Sequence, residues 1–103
     1  MKAEELYAGF VRLHILYHAS KGPIFGLWVI EELARHGYRL SPGTLYPVLH
    51  GLERAGYLAS QRRLVQGRFR RVYAITPAGR EALAQAKEKV RELFGELFEE
   101  RDD

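Results

Sequence analysis

Five arginines fall within the twelve residues from Ser60 to Arg71: Arg62, Arg63, Arg68, Arg70 and Arg71, with no acid among them. Guanidinium groups packed that densely repel one another, and the arrangement becomes favourable when anions sit between them. The planar arginine fork matches phosphate oxygens and can enter a narrow minor groove. A charged edge strand that only guards against aggregation needs one or two such residues. Five exceed that need, and the chemistry they suit is contact with a phosphate backbone, at about 0.9 log unit of salt dependence per phosphate neutralised.

A second group precedes the arginines. Leu45, Val48, Leu49 and Leu52 repeat at i, i+3, i+4 and i+7, the apolar stripe of a helix. The opposite face then carries Gly43, Thr44, Tyr46, Pro47, His50, Gly51 and Arg54, and Glu53 is the one acid in the segment. Small residues at the start permit close approach to a sugar–phosphate chain, and the helix N-terminus suits a phosphate. Thr44 and Tyr46 offer hydroxyl donors, and His50 a ring nitrogen for a base edge or phosphate. A plain surface helix would carry several Glu/Lys pairs; this face has none.

Other chemistries find less support. The chain has no cysteine, which excludes a disulfide scaffold, a thiolate metal site and a cysteine nucleophile. No nucleophile–base pair, apolar carboxylate pair or phosphate-cradling loop is visible, so no enzyme activity is expected. His14 and His18 stand at i, i+4 and can share a helix face, but further ligands are not apparent, so neither a metal nor a cofactor is expected. Tyr7, Phe10, Tyr17 and Trp28 could form a slot for a flat, hydrophobic effector, although such aromatics are more often core or interface.

The elements that must position these groups follow from periodicity. A first helix spans about Glu4 to Ala19, with Leu6, Phe10, Leu13 and Tyr17 on one stripe and Tyr7, Val11 and Ile15 on a second. Ser20-Lys21-Gly22-Pro23 is a break. A second helix is expected from about Ile24 to His36, with Leu27, Ile30 and Leu33 or Ala34 inward and Gly37 as a left-handed cap. Ser41 as N-cap and Pro42 at the first position open the third helix, and Gly56 stops it. Pro47 conflicts with the helix interior, since it removes a backbone bond and crowds the preceding turn. Tyr57 to Val65 and Arg68 to Ile75 read as a hairpin around Gln66-Gly67, with Tyr73 and Ile75 facing the core. Thr76-Pro77 opens a last helix running to about Glu100. On it Leu83, Ala86, Val90, Leu93 and Leu97 alternate by three and four, with Phe94 and Phe98 alongside, a seam of over two heptads.

At 103 residues the chain makes a single unit: a DNA-contacting region over residues 1–80 and a C-terminal helix over 77–101. Residues 1–80 hold twelve Lys/Arg against five Asp/Glu, and residues 81–103 hold four against eight, so the front of the chain can meet a polyanion and the tail cannot. No apolar run approaches the roughly 20 residues of a bilayer span, and the N-terminus lacks a signal-peptide layout. A cytoplasmic protein without membrane contact is expected.

Three helices, a hairpin and a long helix make the winged helix-turn-helix order. Here the residues resemble a known family. Leu40-Ser41-Pro42-Gly43-Thr44-Leu45-Tyr46-Pro47-Val48-Leu49, continuing through Leu52-Glu53 and Gly56-Tyr57-Leu58, is similar to the recognition-helix segment of PadR-like regulators. Gly67-Arg68, Tyr73 and Ile75-Thr76-Pro77-Ala78-Gly79-Arg80 resemble their wing and the start of their last helix, and Gly22-Pro23 and Gly26 match the break before their second helix. The likeness runs from about residue 8 to residue 83. It implies a winged-helix dimer on palindromic operator DNA that usually represses. It also places Ser41, Thr44, Tyr46, Pro47 and His50 in the recognition region and Arg68 and Arg70 in the wing, and it makes Pro47 normal. Phe25-Gly26-Leu27 departs from the family's frequent His-Gly-Tyr, and the single C-terminal helix resembles the short-tailed branch.

The expectation is therefore a mainly α fold with a two-stranded β-wing and a long C-terminal dimerisation helix. Leu6, Phe10, Leu83, Val90, Leu93, Phe94, Leu97 and Phe98 would meet a second copy, because an apolar stripe of that size left in water invites association. Recognition helices would then lie about 34 Å apart on double-stranded DNA. The alternatives are a winged-helix module that uses its arginines on an acidic protein partner, and a binder of hydrophobic small molecules with no DNA function.

Overall fold

The computed structural model describes residues 1–99. The expected end of the last helix at Glu100 and the 77–101 boundary fall outside them. The order is α1 (Ala3–Lys21), β1 (Ile24–Phe25), α2 (Gly26–Arg35), α3 (Pro42–Arg54), β2 (Leu58–Val65), β3 (Arg68–Ile75) and α4 (Pro77–Phe98). No helix among the described residues is long and apolar enough to cross a membrane.

The two-stranded wing is present, and its sheet has a third member. The strands run antiparallel in the order β1-β3-β2, with Ile24 opposite Tyr73 and Phe25 opposite Val72. The second helix therefore starts at Gly26, two residues later than expected. Ile24 is buried in this bridge, and a two-residue strand is too short to show an alternating pattern. The later start accompanies a different inward face. Val29 and Leu33 are buried, whereas Leu27 faces solvent, so the expectation that Leu27 points inward is corrected.

One core holds the elements together. Val11, Ile15, Leu16 and Ala19 of α1 meet Val29 and Leu33 of α2, Leu45, Leu49 and Leu52 of α3, and Leu58 and Tyr73 of the sheet. Thus α1 turns Val11, Ile15, Leu16 and Ala19 to the core, and Leu6, Tyr7, Phe10 and Tyr17 are left open. Ile75 and Leu83 pack on the edge of this core. α4 begins at the Thr76 cap, whose hydroxyl accepts the Gly79 N–H at 3.0 Å and donates to the Gly56 carbonyl at 2.5 Å. Gly79 is buried against the Tyr57 carbonyl so closely that a Cβ would overlap it. The base of α4 is thereby fixed to the start of the wing, and its far end projects. The Cα radius of gyration is 15.3 Å, against about 13 Å for a compact chain of this length.

Candidate nucleic-acid interface

α3 is built to present a polar face. Ser41 Oγ accepts the Thr44 N–H at 3.3 Å, and Pro42 occupies the first turn. Burial of Leu45, Leu49 and Leu52 turns Gly43, Thr44, Tyr46, Pro47, His50 and Arg54 outward, and all six are exposed, as is Ser41. The helix runs unbroken through Pro47. The carbonyl four residues back belongs to Gly43, an exposed position where the lost bond leaves no buried polar group. Tyr46 does more than present a hydroxyl. Its ring lies on Gly26 at the start of α2, where any Cβ would collide with the phenol, and it is tilted towards His50 at 6.3 Å. This seating joins the two helices of the helix-turn-helix and fixes the direction of the exposed ring edge. Sequence reasoning missed it; a glycine at a helix start beside a break was the available signal.

The wing register sharpens the arginine argument. Gln66 and Gly67 both have positive φ, 51° and 80°, the pattern of a type I′ turn, which matches strand twist. That turn sets Arg62 opposite Arg71 and Arg63 opposite Arg70. Like charges directly across a sheet destabilise it, and the alternation of strand side chains puts the two pairs on opposite faces. Aromatic rings relieve part of the strain: Arg62 sits 4.8 Å from the Phe69 ring centre and Arg70 4.9 Å from that of Phe25. Four of the five arginines are exposed, and Arg70 is half-buried over its ring.

Glu53, the lone acid nearby, is diverted from this surface. Its Oε2 accepts the Ser60 hydroxyl at 2.6 Å and the Ser60 N–H at 3.1 Å, while Arg71 Nη1 donates to Ser60 Oγ at 3.0 Å. The Ser60 hydroxyl, foremost, and then its amide and the nearby Arg71 hold the Glu53 carboxyl below its usual range, against the opposing effect of burial. The carboxylate thus clamps α3 to β2.

A separate surface, formed by α1 and α4, exposes a series of apolar side chains. Leu6 and Phe10 on α1 and Val90, Leu93, Phe94, Leu97 and Phe98 on α4 are all exposed, Phe98 to 70%. Between the two helices lies a groove of about 740 Å³. Phe10 and Tyr17, two of the four aromatics considered for an effector, line it. Tyr7 and Trp28 do not; Tyr7 packs edge-on to Tyr38 at 6.4 Å and Trp28 edge-on to His18 at 5.2 Å. The groove also brings together groups the sequence left apart, since His36 and Glu32 of α2 join His14 and His18 of α1. Burial, with the neighbouring His36 and His18, lowers the His14 pKa.

The model of the family described as "Transcriptional regulator PadR-like family" matches residues 15–85. Transcriptional regulator Rv3488 of Mycobacterium tuberculosis is 54% identical over 94 residues, covering 91% of this chain and 88% of its own. The crystal structure of a PadR family transcriptional regulator from Eggerthella lenta superposes with a TM-score of 0.77 at 29% identity, covering 94% of this chain and 88% of its own. A transcriptional regulator from Clostridium thermocellum shares the fold, with a TM-score of 0.79 at 23% identity over 95% and 99% of the two chains.

Proposed function

This chain belongs to the PadR-like family of transcriptional regulators, and from that premise we propose that it represses by occupying a palindromic operator as a homodimer. It is a DNA-binding transcriptional regulator and not an enzyme. In the proposed complex α3 enters the major groove. Thr44, the exposed edge of Tyr46 and His50 face base edges, and Ser41, Gly43, Pro47 and Arg54 lie along the backbone. Arg62, Arg63, Arg68, Arg70 and Arg71 carry the wing onto flanking phosphates or the minor groove. Residues 1–80 make the DNA-contacting region and the helix from Pro77 onward the dimerisation element. A second copy covers Leu6, Phe10, Leu83 and the α4 seam. Phe10 and Tyr17 offer a seat for a hydrophobic effector that would relieve repression.

The single observation that carries this reading is the wing register, which stacks arginine opposite arginine on both faces of a hairpin beside an acid-poor helix face. The test is a gel shift on the promoter of the chain's own gene, across salt concentrations and with competitor DNA. Competitor-resistant binding with a steep salt slope is expected, and joint substitution of Arg68 and Arg70 by Ala should weaken binding on every duplex. Tyr46→Ala should instead weaken the operator selectively. If neither change alters affinity, the interface is misplaced.

A further inference from the structure

The groups gathered where α1 meets α2 have no part in gripping DNA. His14 and His18 lie one turn apart on α1, and His36 caps α2. One ring nitrogen from each falls within 4.8 Å of the others. Glu32 points its Oε2 into the same space, 3.0 Å from His36 Nε2 and 3.5 Å from His18 Nε2. We propose that His14, His18 and His36, with Glu32 as fourth ligand, form a binding site for a divalent transition metal of the Zn²⁺ class.

Three neutral imidazoles and a carboxylate are a donor set for Zn²⁺ and its borderline neighbours. With metal–nitrogen bonds of about 2.0–2.1 Å, tetrahedral donors stand roughly 3.4 Å apart. The Glu32 contacts already lie near that spacing. The three imidazole nitrogens already fall within 4.8 Å of one another, so ring rotations can bring them to that spacing.

Two observations favour a ligand over a self-contained hydrogen-bond cluster. His18 Nε2 is buried with no hydrogen-bond partner; it approaches Glu32 Oε2 at 3.5 Å without bonding to it. A buried polar atom left in that state costs free energy, which a metal bond would remove. The surroundings also orient the donors. Trp28 stands edge-on to the His18 ring at 5.2 Å, Tyr38 is tilted against His14 at 5.4 Å, and Arg35 Nη1 holds Glu32 Oε1 at 3.2 Å, leaving Oε2 for the site. Such outer contacts fix ligand orientation in metal sites. Lys87 and Arg91 approach from α4 across the groove. Arg91 is paired with Glu88, so Lys87 and the Arg35 that holds Glu32 are the cations a bound ion would meet. The expectation that no metal binds rested on a lack of ligands beyond His14 and His18; α2 supplies them.

The test uses the full chain without a histidine tag, stripped with chelator and dialysed against zinc chloride or cobalt chloride. The expected result is one Zn²⁺ retained per chain, a rise in Tm, and the intense visible absorption of tetrahedral Co²⁺. His36→Gln and His14→Gln should each abolish the cobalt spectrum while leaving the far-ultraviolet circular dichroism unchanged, since neither ring belongs to the core. Glu32→Gln should retain the metal more weakly and shift the spectrum. Failure of the wild type to retain zinc, or full retention by the His14→Gln/His36→Gln double variant, overturns the site. An unaltered Glu32→Gln spectrum removes the fourth ligand and with it the proposed donor set. These readouts involve no DNA, so they stand apart from the operator reading.

Discussion

The hairpin sets arginine opposite arginine, whereas the α1–α4 face lays leucine and phenylalanine side by side in water. Both surfaces await something, but the energies differ. Two exposed charges about 4 Å apart repel by about 1 kcal/mol in water, and salt reduces that further. A free wing is therefore tolerable, and its partner can come and go. Fully burying a large apolar side chain is worth about 1.5–3 kcal/mol; the five on α4 are about half exposed, so covering the rest is worth about 4–8 kcal/mol in all as an upper bound. A surface of that kind favours lasting cover, which the proposed second copy would supply. On the proposed reading, dimerisation should precede DNA binding, and salt should act chiefly on the second step.

The most damaging change to that ordering lies on the seam. Leu93→Glu combined with Leu97→Glu should leave the monomer folded, since neither residue belongs to the core. It should convert a dimer to a monomer in sedimentation, and cut operator affinity by about 10²–10⁴, the gain normally supplied by linking two binding modules. A variant that still sediments as a dimer would place the interface elsewhere.

A smaller effect separates the two surfaces by sign. Arg63→Ala removes one member of the Arg63–Arg70 pair. Relief of a directly opposed like-charge pair should stabilise the fold by about 0.2–1 kcal/mol. The same change should lower affinity for every duplex and reduce the salt slope by about 0.9. Chemical denaturation and a salt titration check the two halves. Loss of stability together with affinity would mean that the wing arginines are structural.

Local signals made much of this legible. Ser41-Pro42 and Thr76-Pro77 marked their helix starts because caps act within one turn, and Gln66-Gly67 fixed the hairpin because only certain residues accept positive φ. The arginine pairs follow from that turn by counting outward, so the register was available in the sequence. What escaped was contact across elements. Two residues of β1 carry no period. The Tyr46 seat on Gly26 joins residues on different helices. His36 and Glu32 meet His14 and His18 only because α2 packs beside α1, and helical spacing reveals partners on one helix alone.

The smallest expected effect concerns Glu53, the one acid between the two arms of the proposed DNA-facing surface. Its folded carboxyl titrates below the ordinary value because Ser60 hydrogen-bonds the charged form. An unfolded chain therefore takes up this proton first as pH falls. The stabilisation is complete above the ordinary glutamate range and drains away as acidification passes through the lower folded value. Glu53→Gln keeps an acceptor for Ser60 but no charge, so it should flatten this part of the denaturation midpoint between about pH 3 and about pH 7. If the carboxylate is committed to Ser60, removing its charge should change operator affinity by no more than about twofold, because it does not face phosphates. A tenfold gain in affinity would instead put Glu53 on the DNA side, and the acid-free surface that distinguishes the wing from the seam would have to be redrawn.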